Sequence, residues 1–264
     1  MSEHKFRNAL IGYTGFVGSN LAEQSAFTDL FNSKNFESMR GQHFDEVVCA
    51  GVSAVKWLAN KDPELDWARI QQLLDVLKTV TADRVILIST IDVYATTQGL
   101  DESFDCGSVE NHAYGRHRLA FEDFCRAQFA NCYVVRLPGL FGANLKKNVI
   151  YDLLNDNCLE MINKASRMQY YDLKHLTADI ELAVAAEIRL INLFTEAVAS
   201  SEIIEHFFPE KSVGQAAVGE VHYGLQTCHA DLRGRGDSLY LYSKEEVLAD
   251  MATFIQQQKE GQSK

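Results

Sequence analysis

Apolar residues in the first half of the chain fall into short runs separated by stretches with a helical period. Ala9 to Gly12, Asp29 to Asn32, Glu46 to Ala50, Arg84 to Ser89 and Cys132 to Leu137 read as buried strands. Between them, Val17 to Phe27, Ser33 to Met39, Asp66 to Thr79 and Tyr114 to Phe129 suit crossover helices. In the third of these, Ile70, Leu73, Leu74 and Leu77 recur at spacings of three and four, which makes one apolar stripe. Strand and helix in alternation predict an α/β protein with a doubly wound parallel sheet. After Pro138-Gly139 the alternation fades, and Leu176 to Ala199 reads as one long helical run in a smaller, mainly helical C-terminal region. Lys244 to Gln258 closes the chain as an amphipathic helix, with Ser243 as N-cap before Glu245 and Glu246.

The first strand runs into Gly12-Tyr13-Thr14-Gly15-Phe16-Val17-Gly18 and then into an amphipathic helix. Three glycines at this spacing let the chain turn sharply, bring backbone amides up to a pyrophosphate and start a helix whose positive end faces the anion. The bland alternative is a tight turn without a ligand, but the strand before and the helix after supply the context a dinucleotide site requires. A Rossmann-like domain over residues 1–142 is therefore expected, with Gly12, Thr14, Gly15, Phe16, Val17 and Gly18 on the cofactor. Residues 143–264 would form a substrate-binding region that partly returns to the main sheet.

Composition narrows the partners. The 264 residues are 47% hydrophobic, enough for a sizeable core, and their net charge of -11 disfavours nucleic acid. No apolar stretch is long enough to span a bilayer, and the polar start Met1-Ser2-Glu3-His4-Lys5 lacks the apolar run of a secretory signal, so no membrane partner and a cytoplasmic location are expected. The six cysteines show no paired metal spacing; neither zinc nor disulfides are expected, and several are placed as small core residues.

A second constellation lies at the carboxyl end of the strand beginning at Arg84, where ligands bind in such sheets. It comprises Ile88-Ser89-Thr90-Ile91-Asp92-Val93-Tyr94 and the helix start Tyr114-Gly115-Arg116-His117-Arg118. Tyr114 and Arg118 share a helix face one turn apart, so a hydroxyl, a phenol and a fixed cation can converge. With these motifs the chain resembles the extended short-chain dehydrogenase/reductase superfamily, and within it the NAD(P)-dependent epimerase/dehydratase group that acts on nucleotide sugars. Val135-Arg136-Leu137-Pro138-Gly139-Leu140-Phe141-Gly142 looks like the family segment after the sixth strand, and Tyr170-Tyr171-Asp172-Leu173-Lys174-His175-Leu176 like a degenerate return to the sugar pocket.

The resemblance implies that Tyr114 is the acid/base, that Thr90 holds the substrate oxygen, and that Tyr114 and Arg118 also meet the cofactor. Arg118 departs from the usual lysine, and arginine has a larger, planar donor set. Asp92 lies where related dehydratases carry a glutamate, while Ile91 replaces their acid, which argues against 4,6-dehydration; the alternative for Asp92 is to cap the turn. His112, Arg116 and His117 flank the helix start and are open to solvent, an anionic substrate or another subunit, with solvent the expectation for each, and Tyr94 is expected in a structural role. No carboxylate ends the second strand. Asn32, Ser33 and Lys34, aided by Arg40, suit a phosphate, which favours NADP over NAD, against the alternative that Ser33 caps the next helix and Lys34 is solvated. The short connection from Asn32 to Glu46 omits the family strand that contacts adenine. Ala50, Gly51 and Val52 would pass beneath the cofactor, with Leu137 and Pro138 completing its contacts.

The function implied is an NAD(P)-dependent oxidoreductase or epimerase of a nucleotide-activated sugar. A catalytically impaired member that binds NADP(H) as a sensor or assembly protein stays open. The resemblance also suggests a homodimer built on Asp66 to Thr79 and Tyr114 to Phe129; Leu119, Ala120, Phe121 and Phe124 fit such an interface or an internal core equally.

Overall fold

In the computed structural model, which describes residues 5–262, the elements run in chain order. They are β1 (Asn8–Ile11), α1 (Phe16–Gln24), β2 (Asp29–Phe31), β3 (His43–Cys49), α2 (Lys56–Lys61), α3 (Pro63–Leu77), β4 (Thr81–Thr90), α4 (Ala113–Gln128) and β5 (Cys132–Leu137). There follow β6 (Gly139–Phe141), α5 (Val149–Asn155), β7 (Arg167–Met168), β8 (Tyr170–Asp172), α6 (Leu176–Ala185), β9 (Leu190–Asn192), β10 (Val198–Ala199), α7 (Ser200–Phe207) and α8 (Lys244–Gln262). The chain divides into two compact units. The first takes residues through Ala95, Glu102–Leu137 and Leu176–Asn192; the second takes Thr96–Asp101, Pro138–His175 and the chain from Leu193 onward.

The first unit is built on a six-stranded sheet in the order β2-β1-β3-β4-β5-β9, all neighbours parallel. The strand order reverses between β1 and β3, so a crevice opens there at the carboxyl ends of the strands. β2 is the edge strand, in keeping with the omission of a further strand between Asn32 and Glu46. Every residue of β5 is buried, the signature of a strand covered on both faces. Ile70, Leu73, Leu74 and Leu77 of α3 are buried as the stripe predicts, and pack into one core with Ile11, Phe44, Val47 and Leu87. Asp62 caps α3 by accepting the Leu65 amide at 3.1 Å, Pro63 opens it, and Glu64 and Asp66 sit in its positive first turn. Phe121 belongs to the same core and Phe124 packs against it, so both serve the inside of the unit.

The expected helical run from Leu176 to Ala199 is broken. α6 stops at Ala185 in a Schellman turn: the Ile188 amide bonds the Ala183 carbonyl at 2.9 Å, and the Glu187 amide bonds that of Val184 at 3.1 Å. Glu187 holds the left-handed conformation, φ 55°, that glycine usually supplies, so the sequence carries no visible stop signal. The apolar Leu190-Ile191 that follow are drawn into the sheet beside β5. The helix expected over Ser33 to Met39 also shrinks to a single 3-10 turn, Phe36–Met39, preceded by Asn35, so Ser33 caps nothing there.

The second unit carries two short strand pairs, β6 with β8 in parallel and β7 with β10 antiparallel, among α5, α7 and α8. α8 starts as expected: Glu246 accepts the Ser243 amide at 2.8 Å and donates its own amide to the Ser243 hydroxyl at 3.3 Å, a capping box. Among the described residues no helix is long and apolar enough to cross a membrane.

Candidate active site

The glycine turn joins β1 to α1 within the first unit. Gly12 has φ 89°, and a Cβ there would lie 2.4 Å from the Ala50 carbonyl oxygen. At Gly18 a Cβ would reach 2.1 Å from the Gly12 carbonyl oxygen, so only glycine lets the helix press against the strand end. Gly15 differs: it is exposed, and a Cβ there meets nothing nearer than 3.2 Å. It flanks α1 with no side-chain cap, which leaves the first-turn amides to an outside acceptor. Thr14 is exposed, and Phe16 and Val17 are half-buried around this opening. Such a cradle fits a pyrophosphate.

Ala50 hydrogen-bonds the Ile11 carbonyl at 2.9 Å, which keeps the Ala50-Gly51-Val52 segment beside the turn. At the end of β2 the Asn32 side-chain oxygen accepts the Lys34 amide at 2.9 Å, and Asn35 accepts the Asn32 amide at 2.7 Å. The loop is thus held by its own asparagines, with Ser33 and Lys34 exposed. Arg40 turns away to Glu37 at 2.6 Å and the Asp75 carbonyl at 2.8 Å. Leu137 and Pro138 are buried where β5 ends.

Thr90 and Tyr114 come together. Thr90 ends β4 and caps the 3-10 turn Ile91–Val93 by accepting the Asp92 amide at 3.1 Å, and its side chain lies on the side of the Tyr114 phenol, where it favours the phenolate. The N-cap is Thr90; the Asp92 carboxylate also hydrogen-bonds this turn, accepting from the Thr90 hydroxyl at 3.5 Å, and Lys56 of α2 donates to it at 2.6 Å. Gly115 lets the start of α4 abut this turn, since a Cβ there would fall 2.1 Å from the Asp92 carbonyl oxygen. Asn111 adds hydrogen bonds to the Asp92 and Val93 carbonyls at 2.9 and 3.0 Å. Burial pushes the Tyr114 phenol above its ordinary value near 10; Arg118, the Thr90 hydroxyl and Lys56 pull it down, and Asp92 pushes it up.

Arg118 sits with its guanidinium carbon 3.9 Å from the centre of the Tyr114 ring, a cation–π arrangement. Its terminal nitrogens donate to the Asp66 carboxylate of α3 at 2.5 and 3.0 Å and to the Ser53 carbonyl at 2.5 Å. Burial disfavours the Asp66 carboxylate, but hydrogen bonds from Arg118 and His117 outweigh it and hold the group below its usual value.

Of the two histidines, one departs from the expectation of solvent. His117 is buried, with Nδ1 2.8 Å from Asp66 and its ring 5.3 Å from that of Trp67, because α3 and α4 pack face to face. His112 is exposed but caps α4, its Nδ1 accepting the Gly115 amide at 3.0 Å. Partial burial and then Lys56 depress its pKa. Arg116 is exposed as expected. Tyr94 is buried, its hydroxyl accepting from Arg136 at 2.9 Å and Asn192 at 2.8 Å.

Sequence reasoning missed Lys56, Asn60 and Asp66. Asn60 of α2 accepts the Tyr114 amide at 2.9 Å and anchors the helix start that carries the phenol. None of the three belongs to a motif; each is a common polar residue made specific by the packing of α2, α3 and α4. In the second unit, the stretch from Tyr170 to His175 is tied by Lys174 and His175 to Asp250, at 2.5 and 2.8 Å, with His175 stacked on Tyr242 at 4.9 Å.

A crevice at the strand reversal, a glycine cradle and a Thr-Tyr pair define a dinucleotide-binding enzyme fold. Residues 9–166 match the NAD dependent epimerase/dehydratase family, and the chain belongs to it. No curated protein matches by sequence. Among solved structures it is similar to MoeE5 in complex with UDP-glucose and NAD, at 15% identity and TM-score 0.70, over 97% of this chain and 99% of that one. It is likewise similar to dTDP-4-dehydrorhamnose reductase from Bacillus anthracis str. Ames in complex with NADP, at 15% identity and TM-score 0.70, over 97% of this chain and 100% of that one. UDP-N-acetylglucosamine 4-epimerase from Bacillus cereus aligns at 16% identity and TM-score 0.62, over 96% and 98%. At these identities the likeness is one of fold.

Proposed function

We propose that the chain is an NAD(P)-dependent oxidoreductase or epimerase of a nucleotide-activated sugar. The observation that carries the reading is the placing of Tyr114 at the start of α4 against the turn that Thr90 caps at the end of β4, with Gly115 abutting the Asp92 carbonyl, in the unit that also holds the glycine cradle. The nicotinamide dinucleotide, when bound, supplies the hydride acceptor or donor. The cradle of Gly12, Thr14, Gly15, Phe16, Val17 and Gly18 would hold its pyrophosphate, with Ala50 to Val52, Leu137 and Pro138 along its length. Thr90 orients a sugar hydroxyl or ketone, and Tyr114 takes a proton from the hydroxyl or returns one to the ketone. Arg118 acts on the phenol through the ring face, favouring the phenolate without spending its donors on the ligand. The family, and the UDP-glucose, NAD and NADP bound in the similar structures, support this reading.

Phosphate selection is assigned to Asn32, Ser33 and Lys34, with NADP preferred to NAD. Support comes from the lack of a carboxylate at the end of β2 and from the exposed Lys34; Arg40, held by Glu37, is left out. Tyr114→Phe is expected to cut turnover of a responsive sugar nucleotide by at least ~100-fold, the lower range for a lost general acid/base, with cofactor affinity nearly unchanged. Turnover within a few-fold of wild type would remove Tyr114 from the chemistry.

A second reading is a family member that binds the dinucleotide but does not turn over. Arg118 favours it, because the cation is committed to Asp66 and Ser53. It predicts cofactor binding with no hydride exchange across a sugar-nucleotide screen, and one robust turnover would eliminate it.

A further inference from the structure

The phenol of Tyr114 has two ends with different electrostatics. Arg118 covers the ring face and is locked by Asp66 of α3 and Ser53. The Thr90 side chain and the Asp92 carboxylate act on the phenol from the turn after β4, where the Thr90 hydroxyl donates to an Asp92 carboxylate oxygen at 3.5 Å. A carboxylate at this place opposes formation of a phenolate.

α2 brings the answer to that charge. Lys56 and Asn60 lie one turn apart on one face of this helix. Asn60 accepts the Tyr114 amide at 2.9 Å, and Lys56 places its ammonium 2.6 Å from the Asp92 carboxylate. One short helix therefore anchors the backbone of the tyrosine and neutralises the anion near its hydroxyl. The Lys56 side chain is 41% exposed and that of Asp92 only 16%, so the carboxylate is sheltered and the ammonium reaches in from water. His112 also faces this pair, with Nε2 4.0 Å from Asp92.

We propose that Lys56 is a positioning residue of the Tyr114 site: by pairing with Asp92 it keeps the Thr90–Asp92 pair in place at the phenol hydroxyl without leaving a net negative charge beside it. It thus provides, from a different element, a cation at the hydroxyl end of the phenol, where Arg118 is held over the ring. The proposal rests on the reading of Tyr114 as the acid/base. Its effect on the phenol stands separately and can be measured without substrate.

The test is an ultraviolet difference titration of tyrosinate in the whole protein, with Tyr114→Phe subtracted to isolate the one phenol. Lys56→Met is expected to raise its midpoint by about one unit, which at a given pH below the midpoint is tenfold less phenolate. Lys56→Arg should stay near wild type, and the double variant Lys56→Met with Asp92→Asn should return toward it, because the unpaired carboxylate is then gone. The pH–rate profile should move with the titration. An unchanged midpoint in Lys56→Met, or a raised one that Asp92→Asn fails to restore, overturns the role given to Lys56. Retained turnover in Tyr114→Phe would instead overturn the acid/base reading, and the titration would still decide whether Lys56 and Asp92 set the charge at the phenol.

Discussion

Position 118 shows how one residue type redirects a site. A lysine there would be a single point charge on a flexible stem; arginine brings a planar fork that matches a carboxylate, and Asp66 accepts it at two points. The cation is thereby removed from the open crevice and clamped between α3, Ser53 and the Tyr114 ring. Arg118→Lys should therefore not act as a conservative change. It is expected to lower unfolding stability in urea by about 1–3 kcal/mol, the cost of leaving buried partners unpaired, and a loss below about 0.5 kcal/mol would show that the clamp contributes little. Acid should expose the same clamp. The folded Asp66 titrates below its unfolded value of 3.8, so near that pH the unfolded chain binds more protons. Its stabilisation is complete above 3.8 and is lost as pH falls through the lower folded value; in Asp66→Asn this part of the acid dependence should disappear.

At the scale of elements, the end of α6 decides whether the sheet gains its last strand. Glu187 adopts φ 55° to complete the Schellman turn, and only then does Leu190–Asn192 lie beside β5. A side chain with a Cβ is strained in this conformation, whereas glycine is not. Glu187→Gly should therefore raise stability by about 0.5–1 kcal/mol, partly offset by the greater freedom of glycine in the unfolded chain, and should raise the thermal midpoint. A lowered midpoint would mean that the glutamate side chain makes a compensating contribution. The absence of glycine here is also why Leu176 to Ala199 reads as one helix: Leu, Ile and Ala suit helix and strand alike, and without glycine the boundary has no local mark. By contrast Ser243 before Glu245 and Glu246 announces its helix start in the sequence, because caps are local chemistry, whereas α3 begins at Pro63, ahead of the Asp66 start that the apolar period suggests.

For the whole molecule, the net charge of -11 works against an anionic dinucleotide, so under the proposed function attraction would come from the oriented amides of α1 and from side chains at the loop after β2. Titration of ligand-stripped protein followed by nicotinamide fluorescence is expected to show tighter binding of NADPH than of NADH. At a hundredfold excess over Kd the bound cofactor should stabilise the fold by about 2.7 kcal/mol. Equal or NADH-preferring binding would overturn the role given to Asn32, Ser33 and Lys34, and absence of binding to both would leave the glycine turn structural. The thiols add no reactive centre of note in the first unit: burial pushes Cys49 up to about 11 and Cys132 to about 12, so both remain protonated core residues near neutral pH.

The sequence by itself determined the parallel sheet, the glycine turn and the Thr90 and Tyr114 motifs, because apolar period, caps and glycine geometry act over a few neighbouring residues. It also carried enough of the family pattern to place the chain among the epimerases and dehydratases. Only the tertiary structure decided where the charges go. Asp66 lies on α3 and Lys56 on α2, far along the chain from the arginine and aspartate they pair with, and ion pairing depends on distance in space. Their partners could be chosen only once α2, α3 and α4 had packed together around the end of β4.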